Sequence, residues 1–285
     1  MSYKKIKFIL ILLLFYQTPL QSKSLTYSNI NSKNLSKYFS GIVAFENKDN
    51  STALDFFSSS KILTNNHDPY LKKFIYSLVL ENKIPQAINL IKKNKGESNT
   101  NFFDAYILLT IDSLKKNDLK TAKGYLNEID SLLPQTDRLN SVILESLKQY
   151  LYVFTEKKIL ENKKNFGRLS IISETFERCY LNDLVVDKYF SRLTNDPESD
   201  YTRYIYFYLS YLVENDRIDE AKEIAESIKY INTTLLLSQG KNWIENEKFE
   251  KIKKVFSCKN SNDIISEFFF LISNLYSSQD NFEKS

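Results

Sequence analysis

Alanines stand at positions 53, 87 and 122, at intervals of 34 and 35 residues, and Ala221 follows 99 residues later, close to three further periods. A recurrence of that length is the mark of one supersecondary unit repeated along a chain. Short polar punctuation recurs with it, as Glu46-Asn47-Lys48-Asp49-Asn50, Glu81-Asn82-Lys83-Ile84, Lys115-Lys116-Asn117-Asp118, Glu214-Asn215-Asp216-Arg217, Glu245-Asn246-Glu247-Lys248 and Ser278-Gln279-Asp280-Asn281. Between these points apolar residues fall at i, i+3, i+4 and i+7, and no stretch sustains the alternation of a half-buried strand. Five Gly and five Pro in 285 residues are too few for a turn-dense sandwich or barrel, while 42% hydrophobic residues supply a packed core. The expectation is an all-α chain of paired helices.

The occupants of the recurring positions are similar to those of the tetratricopeptide repeat, in which small residues let the two helices of a unit approach closely. The first unit has Gly41, Ala53, Phe57 and Ser60, and the second has Ala87 and Ile91. The third has Tyr106, Leu109, Ser113, Ala122, Leu126 and Pro134. Later units place Ile205, Tyr208, Leu212, Ala221 and Ala225, then Gly240, Trp243, Ile252 and Phe256, and finally Phe269, Ile272, Ser273 and Tyr276. Residues 135–197 lack the alanines, and their candidate helices are Arg138–Phe154, Glu156–Asn162, Leu169–Tyr180 and Leu184–Leu193. The resemblance implies a right-handed superhelical solenoid of antiparallel helix pairs. It divides the chain into repeat-like pairs over 25–134, irregular pairs over 135–197, and repeat-like pairs over 198–285. That last array is expected to be truncated, because the apolar face of Phe268, Phe269, Leu271, Ile272 and Leu275 has no following helix in the sequence.

The N-terminus has the layout of a secretory signal peptide. A cationic start with Lys4, Lys5 and Lys7 leads into the apolar run from Phe8 to Tyr16 and a small, polar exit at Ser22-Lys23-Ser24, with cleavage expected after Ser24. The apolar run is about half the ~20 residues that span a bilayer. The alternatives to cleavage are an uncleaved anchor at the inner membrane, which leaves the body on the same side, and a buried N-terminal helix. The body is expected to be exported, to the periplasm or cell envelope of a bacterium. The formal charge of +4 belongs to this leader, which holds four lysines and no acid and leaves the rest balanced at 35 bases against 35 acids. With six arginines in the whole chain, a nucleic-acid partner is not expected.

Little in the body suggests chemistry. His67 is the single histidine and sits in the Asn65-Asn66-His67-Asp68-Pro69 connection. Phosphate-binding glycine loops, nucleophile elbows and C-x-x-C pairs are absent from the sequence. No catalytic residue, cofactor or metal is expected. Cys179 and Cys258 are 79 residues apart, which in an open solenoid places them roughly 20 Å from each other, so both are expected to be unpaired.

In the repeat family the first helix of each unit lines a concave groove for a partner peptide or helix. The matching positions here are Tyr38, Ile42 and Phe45, then Lys72, Tyr76 and Val79, then Ile107, Ile111 and Leu114, then Arg203, Tyr206 and Ser210. The resemblance thus implies a non-enzymatic protein-binding scaffold with an apolar, aromatic groove. An alternative is a solenoid arm of a cell-envelope enzyme whose catalytic domain lies beyond residue 285, and packing of the same residues against the chain's own helices would account for them without a partner. The aromatic cluster Tyr201, Tyr204, Tyr206, Phe207, Tyr208 and Tyr211 exceeds what one helix face buries, so at least two members are expected to face solvent or a ligand.

Overall fold

The computed structural model describes residues 31–65, 67–133, 137–194, 202–228 and 234–278. Among them the chain is all-α, and it divides into two compact units, one ending at Thr100 and the other starting at Asn101. The leader with Ser24, together with Tyr201, Pro134 and the last punctuation motif beyond Ser278, lies outside the described residues.

Unit 1 contains α1 (Ser32–Glu46), α2 (Asn50–Ser58), α3 (Asp68–Leu80) and α4 (Ile84–Lys93), with 3-10 turns at Lys61–Leu63 and Ser98–Thr100. Each helix packs on the next, and α3 also touches α1. Side-chain caps open two of them: Asn31 Oδ1 accepts from the Asn34 N–H at 2.8 Å, and Asp49 Oδ1 accepts from the Thr52 N–H at 3.2 Å. Pro69 and Pro85 open the other two, where the missing N–H costs nothing.

Unit 2 contains α5 (Phe103–Lys115), α6 (Leu119–Asp130), α7 (Arg138–Glu156), α8 (Arg168–Leu181), α9 (Val186–Thr194), α10 (Thr202–Glu214), α11 (Ile218–Ser227), α12 (Leu235–Glu245), α13 (Phe249–Lys253) and α14 (Ser261–Ser278). The expected helix over Glu156–Asn162 does not form. Lys157 ends α7 in the left-handed conformation at φ 54°, and the chain runs irregularly to Gly167, φ 65°.

The recurring punctuation has one geometry. Lys48, Asn82, Asn117, Asp216 and Glu247 all take positive φ, between 55° and 62°. The next residue donates its N–H back to a carbonyl five positions earlier, as from Asp49 to Ala44, Lys83 to Leu78, Asp118 to Ser113, Arg217 to Leu212 and Lys248 to Trp243. This is the Schellman ending, which satisfies carbonyls that a helix terminus would leave bare. The following helix starts at once, so each pair is joined by three residues that reverse the chain.

The small residues do what the spacing implied. Ala53, Ala87, Ala122, Ala221 and Ala225 are all fully buried. A methyl at Gly41 would stand 2.8 Å from the Phe57 ring, and one at Gly240 would stand 2.6 Å from Tyr206. These positions fix how closely paired helices approach.

The expectation of unpaired cysteines fails in unit 2. Cys179 and Cys258 form a disulfide with α-carbons 5.5 Å apart. The tail after α13 returns to α8, where Phe256 packs on Phe176 at 5.6 Å and on Phe207 of α10 at 4.5 Å. The final apolar face is packed in part, since α14 packs against α5 and α8, Phe268 lies 5.6 Å from Tyr150 of α7, and Phe268 and Ile272 are buried. Neighbour-only contact, the premise of the cysteine expectation, does not hold where the chain closes on itself. Of the described members of the aromatic cluster, Tyr204, Tyr206, Phe207 and Tyr211 are buried and Tyr208 is half-buried. Helix α10 is enclosed by α9, α11, α12 and α13, with α8 rings and α14 side chains on its remaining sides, so it buries more than one face.

Candidate functional site

In unit 1 the groove positions separate into two groups. Tyr38 points inward, 5% exposed, with its ring 4.7 Å from His67, 6.0 Å from Phe57 and 6.1 Å from Tyr70. Burial raises its hydroxyl pKa. Tyr70, fully buried, donates to the Phe57 carbonyl at 2.5 Å and ties α3 to the end of α2. Ile42 and Phe45 on α1 and Tyr76 and Val79 on α3 are half-buried instead. Lys73 joins the two helices, its ammonium 2.9 Å from Glu46 Oε1 and 4.4 Å from the Phe45 ring centre. Lys72 stands 5.5 Å from the Tyr76 ring. The result is an apolar, aromatic strip with cations over its rings, an arrangement that can take the side chains of an apolar segment.

In unit 2 the corresponding positions are occupied from within. Arg203 donates to Glu267 of α14 through Nε at 2.8 Å and Nη2 at 2.6 Å, and its guanidinium lies 4.1 Å from the Phe270 ring. Glu267 is 4% exposed, and burial holds its carboxyl above the ordinary value against the pull of Arg203. Tyr206 is fully buried with its hydroxyl donating to the Ile252 carbonyl at 3.4 Å, and Ser210 donates to the Phe256 carbonyl at 2.7 Å. Ile107 and Ile111 are half-buried, and Leu114 is buried in the core. Arg203, Tyr206 and Ser210 thus bind the chain's own later elements.

A buried polar centre was missed in the sequence. Glu177 on α8 is fully buried and receives Lys163 at 3.0 Å on Oε2. Its Oε1, together with Tyr150 Oη on α7 and Ser173 Oγ on α8, is buried without a hydrogen bond of good geometry among the described residues, although the Ser173 hydroxyl lies near enough to Tyr150 to act on it. Burial raises the Glu177 carboxyl despite Lys163. Burial also raises the Tyr150 hydroxyl against the pull of Ser173, and the charges of Glu177 and Glu267 add to it. The one sequence signal was Ser173 and Glu177 falling four apart among Leu169, Ile172, Phe176 and Cys179, a polar pair within an apolar helix face.

Among the described residues no group of three or more His, Cys, Asp or Glu side chains is placed to hold a metal ion, and no helix is long and apolar enough to cross a membrane. No family model, curated protein or solved structure matches the chain.

Proposed function

We propose that this chain is a non-enzymatic, exported scaffold, built from divergent helix pairs of the tetratricopeptide kind, that binds an apolar segment of a partner protein on the α1–α3 strip of unit 1. The observation that carries the reading is the contrast between the two units. Where unit 2 fills its matching positions with α14 through Arg203 and Glu267, unit 1 leaves Ile42, Phe45 and Tyr76 half-exposed on adjacent helices. Half-exposed aromatics with cations over them are the residue types that anchor protein partners. Five turns of one geometry support the repeat reading, and spacings of 34 and 35 between Lys48, Asn82 and Asn117 match the length of a tetratricopeptide unit. The Cys179–Cys258 disulfide favours export to the periplasm or envelope, since such bonds persist in oxidising compartments.

The test is site-specific photo-crosslinking in the native host, with a photoreactive phenylalanine at Phe45 or Tyr76 and, as the control, at exposed Lys123. A discrete adduct from the first two positions and none from Lys123 is expected. Adducts that are the same from all three, or absent from all three, defeat the proposal.

A further inference from the structure

A second concave feature of unit 1 lies away from the α1–α3 strip. A cleft of about 440 Å3 opens between the Lys61–Leu63 turn and α4, with α3 as its floor. That volume falls within the range of small-molecule sites. Phe74 and Leu78 of α3, both 4% exposed, and half-buried Leu90 of α4 make its base. Lys61 and Lys93 stand on its rim, and among the described residues no carboxylate lines the cleft.

The charges are the informative part. Neither lysine is engaged by a carboxylate among the described residues, whereas Lys73, Lys148 and Lys163 each are. Lys61 leans toward the floor, 5.8 Å from the Phe74 ring centre. Two like charges around one opening repel each other, and an anion between them relieves that repulsion. Of the polar neighbours, Thr64 spends its hydroxyl on the Lys61 carbonyl at 2.7 Å and Asn94 its amide on the Leu90 carbonyl at 2.7 Å. Asn65 and Gln86 retain their side-chain donors.

We propose that this cleft binds a small amphiphile, with its anionic head held between Lys61 and Lys93 and its apolar body against Phe74, Leu78 and Leu90. The chemistry admits a carboxylate or a phosphate head, because lysine is a point charge that selects sign rather than shape. Both halves are required. The exposed ammonium groups alone are screened by salt, and the floor alone offers too little area to hold an alkyl chain. The inference is independent of partner binding on the strip.

The test titrates the full chain by calorimetry with decanoate, decyl phosphate, decanol and inorganic phosphate, each below any micelle-forming concentration. One-to-one binding of decanoate or decyl phosphate is expected, whichever head the site prefers. The K61Q/K93Q variant is expected to weaken it about tenfold, and K120Q/K123Q, on exposed α6 positions, to leave it unchanged. Circular-dichroism melts check that both variants stay folded. Decanol binding as tightly as decanoate, inorganic phosphate binding as tightly as decyl phosphate, binding that K61Q/K93Q leaves intact, or no binding by any probe would each overturn the proposal.

Discussion

Tyr150, Ser173 and Glu177 place polar oxygens where the surroundings are helix core, and a buried oxygen without a partner costs about 1–3 kcal/mol. Tyr150→Phe keeps the ring against Phe154 and Phe268 and removes only the hydroxyl. It is expected to leave stability unchanged or raise it by about 1 kcal/mol in urea unfolding; a loss larger than that means the hydroxyl is bonded after all. Glu177 carries the pH dependence. A carboxyl raised in the fold binds its proton more tightly there than in the unfolded chain, so its favour is complete below 4.5 and is withdrawn as pH rises through its folded-state value. Glu267 acts in the same direction, whereas Glu174, lowered by Arg178 and Lys163 against the burial that opposes them, loses its contribution on acidification. Glu177→Gln fixes the neutral form, so its stability relative to the parent should climb between pH 4.5 and neutrality. A difference that stays flat across that range removes the assignment. Beyond the Ser173–Glu177 spacing little of this was legible in the sequence, because Glu177 is one of many Glu residues in helices and its neighbours Tyr150 and Lys163 come from other segments.

At the scale of the element, the helix pairs were legible and their ends were the reason. Residues 46–50, 81–84, 115–118, 214–217 and 245–248 stood out as polar breaks, and in each the structure puts a left-handed residue followed at once by the start of the next helix. The spacing made the small residues visible for the same cause, since close approach at Gly41 and Gly240 leaves no room for a methyl. The lysines and asparagines of Glu156–Asn162 fit a helix locally, yet the chain breaks there because Lys157 takes positive φ. Two consequences are measurable. At Lys48, φ 62°, a side chain is tolerated at a cost that glycine avoids and a β-branched residue increases. Stability should rank Lys48→Gly above the parent and Lys48→Val below it, with steps of up to about 1 kcal/mol upward and more than that downward. Gly240→Ala meets the Tyr206 ring, which is fully buried and has no free direction to move. A loss of about 1–3 kcal/mol is expected on thermal melting, and a neutral result would mean that α10 and α12 can separate there without penalty.

At the scale of the molecule, the sequence favoured a chain in which each unit meets only its neighbours, and unit 2 departs from that rule. Period and amphipathicity report what a helix packs on one face; they carry no information about a later helix arriving on another. The apolar face of α14 packs in part on α5, α7 and α8. The same return brings Cys258 to Cys179 across 79 residues, and that closure is the strongest single test of the arrangement. Joining residues so far apart removes unfolded-state freedom worth about 4 kcal/mol in the chain-entropy treatment. Cys179→Ala with Cys258→Ala should therefore cost several kcal/mol, partly offset because both sites are small, buried and compatible with alanine packing. Trp243, the chain's one tryptophan, is half-buried on α12 of the same unit and reports its unfolding by fluorescence. Intact mass and alkylation under denaturing, non-reducing conditions settle the bond itself, with a mass two units low and neither cysteine labelled. If both cysteines label in the denatured, unreduced protein, or if the double variant unfolds at the parent's denaturant midpoint by the Trp243 signal, then α8 and the tail before α14 are not joined as described, and the enclosure of α10 that depends on that junction falls with them.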